Sequence, residues 1–383
     1  MDLTSELVSA ARETGALAAQ RADRAEAARR LDPEVAGALV AAGFARHFVP
    51  KACGGDEGTF LDLNRAVSAV GEGCTATAWC ASLSAHVSRM AAHLPAAGCR
   101  EVWADGPDAL LVASLTPLGT ARRVPGGYRL DGTWPFVSAI DYADWALLAA
   151  MVPAEDGGQP QARVLAVPRD AWRTEDTWQS VGMAATGSNS VTVEDVLVPD
   201  ARSMSREDLF TGRAADSDAP CHAVPMQATT MMFATPALGA AKGALAAWTG
   251  SVTPKIRAAA AAGPRQAHAG MPAFNRASYD VTLTRSATEI DAAELLLERA
   301  ARTADAAGAL SPLLTMRNWR DCAMATESMV GVVNRLFRTI GTTGQSVRSP
   351  LQRFWRDVNS LAGHQGLQVE SASVAFSRQV IAL

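Results

Sequence analysis

The chain has 383 residues, is 48% hydrophobic and 19% charged, and carries a formal net charge of −4; this is core-forming rather than disordered composition, and the length suits two or three domains. No Lys/Arg cluster interleaves with aromatic residues, which argues against a nucleic-acid partner, and no run of about 18 apolar residues offers a membrane span. Met1 to Glu13 has no basic stretch leading into an apolar one, so no secretory signal is expected, and six scattered cysteines without a CxxC pair read as reduced thiols of a cytoplasmic protein.

From Leu3 to about Ala109 the pattern is Ala-rich and helical, giving an N-terminal helical domain over residues 1–109. Val49-Pro50 leads into a Gly-rich turn, Cys53 to Gly58. A long helix is predicted from near Phe60, with Leu61, Leu63, Val67 and Val70 at roughly helical spacing. Gly71-Glu72-Gly73-Cys74-Thr75-Ala76 matches the loose dinucleotide pattern GxGxxA. Helix precedes it and no βαβ unit follows, so it is set aside. His86 lies on a further helix, and His93 falls on the same face. Two histidines without a third ligand make a weak metal site, and no metal is expected.

Over residues 110–218 the character changes to β. Leu147 to Val152, Arg163 to Val167 and Asn189 to Val198 read as strands. The most informative run is Trp134 to Trp145. The alternation Leu130, Gly132, Trp134, Phe136, Ser138 suits a strand that lays an indole and a hydroxyl along one wall, which a flat aromatic cofactor requires. A Trp-rich core strand with a solvated serine gives the same pattern. Ser203 to Asp218 reads as a surface loop or linker.

Residues 219–383 return to helix. Ala237 to Trp248, Tyr279 to Ala307, Thr315 to Phe337 and Pro350 to Ile381 make four segments, the count of a bundle. Gly341-Thr342-Thr343-Gly344 reads as a helix C-cap and turn whose backbone amides can also meet a phosphate. His364 sits on the predicted helix headed by Pro350, flanked by Gly363 and Gly366. Glycines inside a helix cost about 1 kcal/mol each, which close approach of another group to the backbone would explain. Asp357, seven residues earlier, would share its face.

The order helices, small β domain, helical bundle comes with four matching stretches. These are Val49-Pro50-x3-Gly54-Gly55; Gly127-Tyr128-x-Leu130-x-Gly132-x-Trp134-x-Phe136-x-Ser138; Thr177-Trp178-x3-Gly182-Met183-x2-Thr186-Gly187-Ser188-Asn189-Ser190-Val191, running on to Val198-Pro199; and Gln352-Arg353-Phe354-Trp355-Arg356-Asp357-Val358 with His364. Over almost its whole length the chain resembles the acyl-CoA dehydrogenase superfamily. Within it, the chain is most similar to the two-component (group D) flavin-dependent monooxygenases. The resemblance implies a mainly α fold with a central β domain: an N-terminal helical domain, a small β-barrel and a C-terminal four-helix bundle. It implies FAD or FMN used in the reduced form.

By the same resemblance, Ser138 would donate near the flavin N5 and Trp134 would pack on the isoalloxazine. Relatives more often read Ser-Gly where this chain has Ser138-Ala139, and the added methyl narrows the approach. His364 would stand at the flavin's reactive edge, where an imidazole can accept a phenolic or indolic proton or donate one to a leaving hydroxide. His86 would line the substrate cavity. Ser114 and Leu115 would offer backbone groups to the pyrimidine ring. Gly341, Thr342 and Thr343 would lie near the flavin phosphate or a neighbouring subunit's cofactor.

No Rossmann fingerprint is present, so a separate NAD(P)H-dependent flavin reductase would supply the reduced flavin. Molecular oxygen would react to a flavin C4a-hydroperoxide that hydroxylates a small, activated aromatic substrate, and the enzyme would be a homotetramer. N-oxygenation of an amine, an acyl-CoA dehydrogenase whose carboxylate base would come from another helix because Glu370 lies nearly two turns beyond the flavin-facing Gly363–Gly366, and a flavin-binding or assembly protein without chemistry are the alternatives.

Overall fold

The computed structural model describes residues 6–154, 158–262, 276–306 and 309–381. Five helices come first: α1 (Glu6–Ala28), α2 (Pro33–Ala42), α3 (Phe60–Gly71), α4 (Thr75–Ala91) and α5 (Ala96–Val102). Their ends follow local chemistry. The Asp32 side chain caps α2 by accepting from the Glu34 N–H, Pro33 fills the first turn, and Gly43 closes the helix in a left-handed conformation. Thr59 caps α3 at Phe60 in the same way. The GxGxxA glycines serve packing. A Cβ on Gly71 would lie 2.9 Å from Gly239 Cα, and one on Gly73 would lie 2.0 Å from the Gly15 carbonyl oxygen.

The β region contains β1 (Leu111–Val124), β2 (Gly127–Val137), β3 (Trp145–Val152), β4 (Gln161–Pro168), β5 (Arg173–Glu175), β6 (Asn189–Pro199) and β7 (Ser203–Ser205). They form one sheet in the order β5-β6-β2-β1-β3-β4-β7, with β1 and β3 parallel and every other pair antiparallel. In this order β5 and β7 stand at the two ends of the sheet. One face encloses Leu130, Trp134, Leu148, Leu165, Trp172 and Val191. The other, through Leu147 and Val164, packs on Val87 and Met90 of α4. The expected loop from Ser203 begins instead as β7 and a short helix, α6 (Arg206–Thr211), capped by Ser205.

The C-terminal region holds α7 (Met231–Ala262), α8 (Arg276–Asp305), α9 (Pro312–Thr339), α10 (Pro350–Leu361) and α11 (Val369–Ile381). Pro350 to Ile381 is therefore two helices and a break, where the periodicity predicts one. Helix α10 ties the three regions together: Arg353 pairs with Asp23 of α1, Arg356 with Glu26 (2.5 Å), and the Asp357 carboxylate accepts from the Met183 N–H (2.6 Å) in the loop before β6. No helix of the described residues is long and apolar enough to cross a membrane.

Candidate active site

A bulge decides what β2 presents. Its register against β6 shifts between Trp134 and Val137, and Phe136 takes a φ of 62°. An inserted residue reverses the faces beyond it. Trp134, just before the bulge, points into the sheet's core with Leu130, fully buried, with Nε1 donating to the Ala149 carbonyl at 2.8 Å. The expected indole wall at the cofactor is corrected here, because Trp134 has no free face. Phe136 is 71% exposed instead, edge-on to Trp178 at 6.1 Å between centroids. Ser138 emerges past the bulge, facing the helices.

Ser138 Oγ accepts from the Trp79 indole N–H of α4 at 3.1 Å and shares a hydrogen bond with Ser188 Oγ at 2.8 Å. Ser188 in turn meets Thr186 Oγ1 at 2.6 Å, and the Thr186 hydroxyl reaches the Met183 carbonyl at 2.8 Å. The Trp79 ring lies 5.5 Å from His364 in an edge arrangement and 5.4 Å from Phe233 of α7, whose ring is 3.9 Å from His364. One cluster thus draws on α4, the end of β2, the 183–188 loop, α7 and the α10–α11 break. The sequence reading missed Trp79 and Phe233, which look like ordinary buried aromatics; only their contacts distinguish them. A cavity of about 30 Å³, room for roughly one water, adjoins Ser138 between Leu39, Cys80, Ser84 and Tyr142.

His364 is not inside a helix. It heads the 3-10 turn Gln365–Leu367, with extended backbone and Nδ1 accepting from the Gly366 N–H at 3.1 Å. Gly363 and Gly366 therefore incur no helix-interior cost. Burial pushes the imidazole down to about 4, so it is neutral near pH 7. With Nδ1 engaged as an acceptor, the neutral ring carries its proton on Nε2. This tautomer donates from Nε2, one of the two expected roles, proton acceptor or proton donor. Asp357 does not share its face. Its carboxylate is bound to the Met183 N–H, and burial pushes it up to about 6.

The other expected residues are dispersed. His86 is buried on α4 against Phe48 and Phe60, with ring centroids 5.5 and 5.8 Å away, and burial lowers its pKa well below the usual histidine range. Ser114 and Leu115 lie on β1 where its ladder with β3 shifts after Ser114, and the Leu115 carbonyl accepts from Arg206 at 2.8 Å. Gly341, Thr342 and Thr343 form an exposed turn beyond α9, where Lys255 Nζ reaches Thr343 Oγ1 at 3.3 Å. Glu370 is exposed in the first turn of α11. No group of three or more potential metal ligands occurs among the described residues.

A flat heteroaromatic group fits this junction. Phe136 displays a ring to solvent beside Trp178, and a hydroxyl chain, Ser138–Ser188–Thr186, runs next to them. Residues 231–369 match the family model of the acyl-CoA dehydrogenase C-terminal domain. The 3-HSA hydroxylase structure from Rhodococcus sp. RHA1 superposes with a TM-score of 0.91 at 28% identity, covering 99% of this chain and 97% of that one. XiaF from Streptomyces sp., in complex with FADH2 and glycerol, superposes with a TM-score of 0.87 at 29% identity, covering 100% and 96%.

The fold is thus that of the acyl-CoA dehydrogenases. In sequence, the chain is 30% identical over 379 residues to the oxygenase component of an FADH2-dependent resorcinol hydroxylase of Rhizobium sp., covering 94% of this chain and 90% of that protein. It is 32% identical over 378 residues to the oxygenase subunit HsaA, a flavin-dependent monooxygenase of Mycobacterium tuberculosis, covering 95% and 92%. The chain belongs to this family, the oxygenase components of two-component flavin-dependent monooxygenases.

Proposed function

We propose that this enzyme hydroxylates a small phenol-type aromatic substrate with reduced flavin delivered by a separate NAD(P)H-dependent reductase. The observation that carries the reading is the convergence of Ser138, Trp79, Phe233 and His364 beside the exposed Phe136–Trp178 pair. Relatives whose names specify the reduced cofactor favour FAD. Phe136 and Trp178 would hold the ring system and Ser138 would hydrogen-bond its edge; Gly341, Thr342 and Thr343 would reach the phosphate across a subunit boundary. Bound reduced flavin supplies the two electrons that activate dioxygen; one oxygen atom enters the substrate ring and the other leaves as water.

The chain's own residues do the rest. The Trp79 indole N–H occupies a Ser138 lone pair, which leaves the serine proton free to be aimed at the cofactor or at Ser188. Trp79 and Phe233 form an apolar wall that keeps water from the reacting atoms. His364, neutral and protonated on Nε2, donates to the substrate oxygen and stabilises negative charge developing there. Six unpaired cysteines support a cytoplasmic enzyme.

The test is reductase dependence. Purified protein with NADH or NADPH and oxidised flavin should form no product from phenols. Adding an unrelated flavin reductase should give hydroxylated product. Robust NAD(P)H oxidation by this chain alone would overturn the two-component reading.

A further inference from the structure

The donor role proposed for His364 depends on one backbone neighbour. A neutral imidazole has two tautomers, and only the one with its proton on Nε2 can donate to a substrate oxygen from that end. Among the described residues, the ring's one hydrogen bond is at Nδ1, which accepts from the Gly366 N–H at 3.1 Å. Phe233, with its ring centroid 3.9 Å from that of His364, fixes the plane of the imidazole but not which nitrogen carries the proton.

Gly366 is itself held from its other side. Its carbonyl accepts from the Trp319 indole N–H of α9 at 2.8 Å, from 47 residues away. The turn closes without this bond. The His364 N–H donates to the Leu361 carbonyl and the Leu367 N–H to the His364 carbonyl, both at 2.9 Å, and Gln368 Nε2 reaches the Ala362 and His364 carbonyls at 3.1 and 3.4 Å. Position 366 is crowded: a Cβ there would lie 3.0 Å from the Phe233 ring and 3.3 Å from His364 Nδ1. Glycine meets that constraint but adds backbone freedom, so its N–H is firmly aimed only if its carbonyl is pinned.

We infer that Trp319 is a positioning residue for this site: by pinning the Gly366 carbonyl it holds the Gly366 N–H on His364 Nδ1 and so keeps the donor proton on Nε2. This rests on the monooxygenase reading and deepens it. The relay runs one way, from indole N–H to carbonyl, across the glycine from amide N–H to imidazole, and from imidazole N–H to the substrate oxygen. An indole N–H can only donate, so the order cannot reverse. Trp319 acts through the peptide and not on the substrate.

The first measurement is magic-angle-spinning 15N NMR of the full chain labelled in its six histidines, without flavin or substrate. The His364 signals are identified by their loss in His364→Gln. At pH 7 the wild type should show a protonated Nε2 and an unprotonated Nδ1. Trp319→Phe, which keeps an aromatic ring and loses the N–H, should show both tautomers. Gly366→Ala keeps the indole and displaces the amide from the ring; it should give the same mixture, and it keeps the idea testable if Trp319→Phe does not fold. The second measurement is single-turnover hydroxylation of phenols with pre-reduced flavin. Trp319→Phe should slow it by about 3- to 10-fold, the worth of one neutral hydrogen bond. The same change should have no effect once His364 is Gln, which has no tautomer to set. A single tautomer in both variants, or equal slowing in the His364→Gln background, overturns the relay. A tautomer mixture in the variants, with no phenol hydroxylated by the wild type, sinks the monooxygenase and leaves the relay standing. Hydroxylation with one tautomer throughout sinks the relay alone.

Discussion

Under the proposed function the chemistry turns on Ser138 and His364, and each makes a separate prediction. Ser138→Ala removes the hydroxyl that joins Trp79 to Ser188. In the reductase-coupled assay it should release more hydrogen peroxide per flavin oxidised and less product. Unchanged coupling would make Ser138 a structural residue. His364→Ala should slow single-turnover hydroxylation by about 10²–10³-fold, the usual cost of losing one aimed donor. His364→Gln, which keeps a donor, should recover most of that loss. A lowered pKa of about 4 also fixes the pH behaviour. The ring is neutral throughout pH 5.5 to 8, so His364 contributes no limb there, and the wild-type and Gln profiles should have the same shape. A wild-type limb near pH 6.5 that vanishes in the Gln variant would restore the base. Both residues stand out in the sequence by their motifs, and both meet Trp79 in the structure. The tautomer is not legible there, because it depends on which backbone N–H the ring meets after the chain turns.

At the scale of elements, α10 is the joint. Its Asp357 holds the Met183 N–H, and Met183 in turn accepts from Trp178 and Thr186. One carboxylate therefore supports the loop that carries Ser188. Burial raises its pKa to about 6 against an ordinary value of 3.8. Between those values the folded state holds more protons than the unfolded one, so the contribution is full at low pH and is lost as pH rises through 6. Asp357→Asn keeps the acceptor without the charge. Thermal melts should show the Asn variant gaining on the wild type as pH goes from 4 to 7; a constant difference would mean that Asp357 is not protonated in this window. The sequence pattern missed the break after α10. Residues 350–381 keep a helical pattern, and the break at His364 becomes visible only when Trp319 Nε1 donates to the Gly366 carbonyl at 2.8 Å and Phe233 packs on the His364 ring.

For the whole molecule, the exposed apolar side chains fall largely on the bundle. Val281, Leu283 and Leu295 of α8, Leu313, Leu314 and Met324 of α9, and Val374, Val380 and Ile381 of α11 are all exposed. A surface of this kind is covered in an assembly. The expected outcome is a tetramer by light scattering, with Leu295→Arg combined with Val374→Arg shifting it to smaller species while circular dichroism stays unchanged. A monomeric wild type would leave the Gly341–Thr343 turn without a neighbouring cofactor to serve.

What the sequence determined by itself was everything carried by local periodicity and local chemistry: the helical start near Phe60, the strand alternation through Leu130 and Trp134, the strand from Asn189 to Val198, and the succession of helix, sheet and helix that defines the fold. Side-chain period and capping act over a few residues, so they can be read without the rest of the chain. Tertiary structure alone decided which groups meet. The β2–β6 bulge turned Phe136 outward, just past the buried Trp134. The docking of α10 on α1 and the 183 loop placed His364 at Trp79. Each is set by a pairing between residues far apart in the chain, where burial and register outweigh local preference.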